Sequence, residues 1–208
     1  MKLKKLIRYS TQHIDKSDIS AVNKVLKSDF LTEGPIIEKF EKKLCKYTKS
    51  KNAIAVNSAS TGLIIACQAL DLKKNDYLWT TPITFVSSAN CAFYFQAKVD
   101  FVDINKDSFN IDIDKLEKKL ITSKRKKKLP KILIIVHLGG NPVDLKRIKK
   151  LSNKYNFSIV EDASHALGSK YEDIKIGNCK YSDIAVLSFH PVKSITTGEG
   201  GAVLTNKT

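Results

Sequence analysis

The chain has 208 residues, 42% of them apolar and 27% charged, a balance that excludes a disordered polyelectrolyte and allows a sizeable core. Its formal net charge of +15 comes almost wholly from lysine, with arginine only at Arg8, Arg125 and Arg147. Spread over the solvated faces of amphipathic segments, these lysines argue against a reader of nucleic acid, which favours arginine for base contacts.

In chain order, Asp15 to Lys27 carries apolar residues at Ile19, Val22, Val25 and Leu26, a helical period opened by Asp and Ser. Gly34-Pro35 breaks it, and a second amphipathic helix runs from Ile36 to about Lys46. Ala53–Val56 reads as a buried strand turning through Asn57–Gly62 into a helix from Leu63 to Leu70. Strands are expected at Tyr77–Thr81 and Ala97–Val102, with a helix from Phe85 to Phe95 between them. A short helix follows over Asp112–Leu120, and the basic run Lys124–Lys128 reads as an exposed loop. The last elements are a strand at Ile132–Val136, a helix at Leu145–Tyr155, a strand from Ser158 to Val160 ending in Glu161-Asp162, and apolar runs at Ala185–Leu187 and Ala202–Leu204. Alternating strands and helices, several strands being apolar throughout, predict an α/β fold with a mostly parallel sheet covered on both faces. The chain stops directly after its last apolar strand. It therefore reads as the front portion of something longer, with an edge or a face of the sheet left uncovered.

Two absences bound the surroundings. No run approaches the ~18 apolar residues of a membrane helix, and the charged start Met1–Lys5 lacks the apolar core of a signal peptide. Cys45, Cys67, Cys91 and Cys179 show neither CxxC pairing nor metal-ligand spacing, so reduced thiols, a cytoplasmic protein and no metal are expected.

Chemistry is sought at the carboxyl ends of the strands, where open α/β sheets bind ligands. Ser58-Ala59-Ser60-Thr61-Gly62 lies between a strand and a helix N-terminus, which suits a phosphate; a plain N-cap would leave the same trace. GxGxxG and GxxxxGK[ST] are both missing, which leaves dinucleotide and P-loop readings little support. Phe85 follows a strand end and could stack on a planar ring or fill the core. Asp162 ends an apolar strand, where a carboxylate needs a partner, and His165 is three residues on. Lys193 lies between two apolar runs among hydroxyls and glycines, where desolvation frees an amine to attack a carbonyl. Spacing alone favours a solvated loop lysine. Together these features form a set: phosphate cradle, ring platform, carboxylate, lysine. Pyridoxal phosphate asks for all four.

The segments FLTEGP, AVNSAS, WTTPITFVSSANCAFY, AKVDFVDIN, EDASHALGSKY, IGNCKYSDIAVLSFHPVK and TTGEGGAVLTN resemble, in that order, the DegT/DnrJ/EryC1/StrS family of PLP-dependent sugar aminotransferases. The resemblance spans about Ile7 to Asn206. It implies a type I PLP-dependent transferase fold, with a three-layer α/β/α large domain over 35–208, an N-terminal segment over 1–34, and a C-terminal small domain missing. It implies pyridoxal 5'-phosphate as cofactor, Lys193 as the Schiff-base lysine and proton shuttle, and Asp162 at the pyridine nitrogen. His165 would lie by the ring hydroxyl, where many relatives have Gln, with Phe85 stacked on the ring and Ser60, Thr61 and Ser188 on the phosphate. The SASTG order differs by one position from the alanine-threonine-serine order common in near relatives. WTTPITFVSSAN, KLPKILIIVHLGG and SHALGSKY look most like the branch that serves pseudaminic acid biosynthesis. That branch implies amino transfer from glutamate to C4 of a UDP-linked 4-keto-6-deoxy-N-acetylhexosamine, by a homodimer with shared sites. Lys193 argues against the sibling dehydratases, which typically carry His there. The rival expectation is a non-catalytic fragment that at most binds the cofactor or pairs with a full-length subunit.

Overall fold

The computed structural model describes residues 10–207; the first nine residues of the expected N-terminal segment, and with them the start of the family resemblance, lie outside that range, as does Thr208. Helix α1 (Lys16–Leu26) opens with a capping box, Asp15 accepting from the Ser17 and Asp18 amides while Asp18 accepts from the Asp15 amide. It buries none of its residues. Helix α2 (Pro35–Thr48) starts with proline in its first turn, where the missing N–H costs nothing. It leads to β1 (Asn52–Val56), α3 (Ala59–Ala69) and β2 (Tyr77–Thr80).

The helix expected over Phe85–Phe95 is two shorter pieces, α4 (Ser87–Asn90) and a 3-10 turn at Cys91–Phe95. Its apolar residues leave the helical period at Phe93 and Tyr94, which stay exposed. Strand β3 (Lys98–Phe101) precedes α5 (Ile113–Arg125), which runs through the first two residues of the basic stretch expected to be loop. Basic side chains suit the negative end of a helix dipole, so the run extends the helix before it breaks at Lys126. Then come β4 (Ile132–Val136), α6 (Leu145–Tyr155), β5 (Ser158–Asp162), a small hairpin of β6 (Lys170–Tyr171) and β7 (Ile174–Lys175), β8 (Ile184–Ser188) and β9 (Gly201–Thr205).

Among the described residues, seven strands form one sheet in the order β1-β9-β8-β5-β4-β2-β3. Only β9 runs against its neighbours, pairing with β1 on one side and β8 on the other. The final strand is therefore interior, and among the described residues β1 and β3 are the edges. Side chains alternate across the sheet. One face, with Trp79, Leu133, Ile135, Ile159 and Leu187, packs on α5 and α6 through Leu116, Leu120, Ile148 and Leu151. The other, with Leu78, Ile134, Val160 and Val186, packs on α3 and on Cys91 and Ala92. Three layers, α/β/α, result. The parallel strands β4, β5 and β8 end side by side, which brings Val136, Asp162 and Ser188 to one rim.

Candidate active site

A cavity of about 380 Å³ opens at that rim, a size suited to a small cofactor. Asp162, Ser188 and Lys193 line it from β5, from β8 and from the β8–β9 loop; Ser60 enters from α3, Phe85 and Ser87 from the start of α4, and His165 from the loop after β5.

Asp162 is 4% exposed, so its carboxylate needs donors. Ser88 Oγ donates to Oδ2 at 2.6 Å and the Ser164 amide to Oδ1 at 3.1 Å. Ser88 is itself fully buried. Its single proton is committed to Asp162, so the 3.0 Å contact with Thr84 Oγ1 is one in which Thr84 donates. Asp162 thus stands as an acceptor at the cavity floor, on the α3 side of the sheet.

At one end of the cavity is the tip of α3. Ser58 is the N-cap, its hydroxyl accepting from the Thr61 amide at 3.1 Å, while the Gly62 amide donates to the Ser58 carbonyl. The amides of Ala59 and Ser60 have no hydrogen-bond partner among the described residues, which leaves two donors at a positive helix end. Ser60 Oγ lies 2.6 Å from Ser87 Oγ. Thr61 is not brought in: its hydroxyl sits 3.1 Å from Ser58 Oγ, and it does not line the cavity. Phe85 lines the cavity with 68% of its surface exposed, which rules out the plain core reading.

Lys193 is half-buried, and its Nζ lies 2.9 Å from His165 Nε2. Burial holds the Lys193 ammonium's pKa below the usual lysine value, against the opposing pull of the Asp162 charge. Burial, and then the charge of Lys193, lowers His165, again with Asp162 opposing. A lysine so placed reaches its amine form more readily than a solvated one.

Of the residues singled out in the sequence, Ser60, Phe85, Asp162, His165, Ser188 and Lys193 meet at this cavity and Thr61 stands behind it. Missed were Ser87 and Ser88, hidden inside a segment read as one continuous helix, and Glu199 and Gly200, which line the mouth from the turn before β9. The only signal for Ser88 was a hydroxyl pair in an otherwise apolar stretch. On the opposite face of β5, buried Glu161 accepts from Ser182 Oγ and lies 2.9 Å from His137 Nε2.

Among known proteins, the DegT/DnrJ/EryC1/StrS aminotransferase family matches residues 12–208. The UDP-4-amino-4,6-dideoxy-N-acetyl-beta-L-altrosamine transaminase of Campylobacter jejuni is 46% identical over 97% of this chain and 52% of its own length. Helicobacter pylori PseC, an aminotransferase involved in the biosynthesis of pseudoaminic acid, superposes with a TM-score of 0.88 at 36% identity, over 98% of this chain and 53% of that one. The PLP-form of the putative sugar aminotransferase Spr1654 from Streptococcus pneumoniae gives a TM-score of 0.85 at 28% identity, over 97% and 53%. The chain spans about half the length of the curated relatives it matches.

Proposed function

The chain belongs to the DegT/DnrJ/EryC1/StrS aminotransferase family, has the type I fold of its structural relatives, and on that premise we propose that its cavity binds pyridoxal 5'-phosphate. The reaction proposed is transfer of an amino group from glutamate to C4 of a UDP-linked 4-keto-6-deoxy-N-acetylhexosamine, the substrate class suggested by the Campylobacter and Helicobacter relatives. The chain would work in the cytoplasm as a pair of copies, with 35–208 as its cofactor-binding domain and 1–34 outside it. No described helix is long and apolar enough to cross a membrane.

One observation carries the reading: Lys193 and Asp162 open into a single cavity whose far end is a helix tip with two free amides. The donor set fits a phosphorylated pyridine aldehyde group by group. The Ala59 and Ser60 amides, with the Ser60 and Ser188 hydroxyls, would hold the phosphate. Phe85 would cover the ring. Asp162, its outer lone pairs steadied by Ser88 and Ser164, would keep a proton on the ring nitrogen. His165 would sit at the ring hydroxyl, and the Lys193 amine would tie the aldehyde to the chain. When bound, the cofactor supplies an electrophilic carbonyl and a ring that accepts the electrons released as a C–H bond breaks. Lys193 Nζ, freed when the amino donor takes its place, would take the donor's Cα proton as general base and, as general acid, deliver it to the former aldehyde carbon instead of back to the donor.

The test is the absorption spectrum of the chain after pyridoxal phosphate is added and the excess removed. A visible band that moves on adding glutamate, and that Lys193→Ala abolishes, is expected. A folded chain without a band, or a Lys193→Ala variant that keeps a reducible covalent adduct, would overturn the reading.

A further inference from the structure

The segment His137-Leu138-Gly139-Gly140-Asn141 follows β4 and has no part in the reaction as described so far, yet several hydrogen bonds hold its backbone in place. Asn110 Oδ1 accepts from the Leu138 amide at 3.0 Å, and Asn110 Nδ2 donates to the Asn141 carbonyl at 2.8 Å. Ser169 Oγ donates to the Gly140 carbonyl at 2.7 Å. The His137 ring is fully buried, with the Val143 amide donating to Nδ1 at 3.2 Å and Glu161 Oε2 at Nε2. Gly140 takes φ +81°, and a Cβ there would stand 2.8 Å from the His165 carbonyl oxygen. Only glycine fits a left-handed turn pressed this closely to another backbone.

The clamp aims one group. The Gly139 amide donates to His165 Nδ1 at 3.2 Å. A ring nitrogen that accepts an N–H carries no proton, so the proton of the neutral imidazole is on Nε2. Nε2 in turn lies 2.9 Å from Lys193 Nζ. An Nε2–H needs a lone pair opposite it; a free amine has one and an ammonium has none.

We infer that the Gly139 amide locks His165 as a hydrogen donor at Nε2, and that this donor favours the neutral amine form of Lys193 over the ammonium. His165 and the glycine pair are then positioning residues for Lys193. The inference takes its functional meaning from the proposed role of Lys193, and its geometry stands without it. Other charged groups face the same space. Asp162 on β5 favours the ammonium, and His190 and Glu199, 3.7 Å apart, line the cavity from the β8–β9 loop. Against Asp162 stand burial of the amine and the His165 N–H, both favouring the form that attacks a carbonyl and takes a proton.

The test uses the 208-residue chain without cofactor. Nitrogen NMR of the imidazole rings, with His165 assigned by its loss in His165→Gln, is expected to give a protonated Nε2 and a bare Nδ1. Competitive acetylation across pH, read at Lys193 by mass spectrometry, gives that residue's apparent pKa. His165→Gln, whose amide can still donate, is expected to keep it low. His165→Leu, which fills the space without a donor and keeps water out, is expected to raise it by about one pH unit, a tenfold drop in amine at a fixed neutral pH. A proton found on Nδ1, or a leucine variant that titrates like the parent, would overturn the inference. A chain that passes both and shows no visible band with pyridoxal phosphate keeps this inference and loses the reading above.

Discussion

Ser88 has no solvent exposure, and its hydroxyl accepts from Thr84 and donates to Asp162 Oδ2 at 2.6 Å. Ser88→Ala keeps the packing volume nearly unchanged and strips the carboxylate of its shorter hydrogen bond. Because the acceptor is at a cavity wall, water can replace part of what is lost. The expected cost is about 1–2 kcal/mol of folding stability, read from the urea midpoint, together with weaker retention of the cofactor's visible band. An unchanged midpoint would mean that Asp162 does not depend on Ser88. Asp162, His165 and Lys193 were visible in the sequence because residue type and strand-end position are both local properties. Ser88 was not: its partner is 74 positions away, and a buried hydroxyl announces itself only once the acceptor is in place. The tautomer of His165 was out of reach for the same reason, being fixed by an amide 26 residues upstream.

At the scale of elements, the cradle depends on how closely β9 approaches the β1–α3 turn. Gly201, the first residue of β9, sits between Val56 of β1 and Ser188 of β8. A Cβ there would lie 2.7 Å from the Ala59 amide nitrogen and 2.9 Å from the Leu187 carbonyl oxygen. Those are backbone atoms of the α3 tip, the proposed phosphate cradle, and of a central strand, which cannot turn aside as a side chain would. Gly201→Ala is therefore expected to cost about 3 kcal/mol, the upper part of the overpacking range, and to loosen the α3 tip. A urea midpoint within experimental error of the parent would show that the turn moves freely. The alternation of strands and helices was legible because each carries its own period of apolar residues. The place of β9 was not legible. An apolar run of three residues reads alike at an edge or in the middle, and its antiparallel insertion between β1 and β8 is decided by pairing across 145 to 153 positions. The same limit explains Phe85–Phe95: its apolar content suggested one helix, whereas exposure of Phe93 and Tyr94 follows from packing that periodicity cannot see.

Across the whole molecule, 36 basic residues face 21 acidic ones. The ion pairs that form are mostly exposed, among them Lys73–Asp71, Lys146–Glu172 and Arg147–Asp114, and such pairs contribute about 0–1 kcal/mol each. The unpaired excess of lysines repels itself over longer distances, which works against the compact state. Salt weakens both effects, so its sign on stability reports which is larger. Raising salt from about 10 mM to about 150 mM shortens the screening length from roughly 30 Å to roughly 8 Å. Contact pairs survive that change far better than repulsion between lysines on different helices. The urea midpoint is therefore expected to rise with sodium chloride over this range, urea being used because it adds no ions of its own. A midpoint that falls would mean that the surface pairs, not the net charge, dominate the electrostatics of the fold. The lysines on α5 and α6 would then have to be read as stabilising partners of Asp100, Asp103 and Glu117, rather than as a solvated coat whose cost the apolar core outweighs.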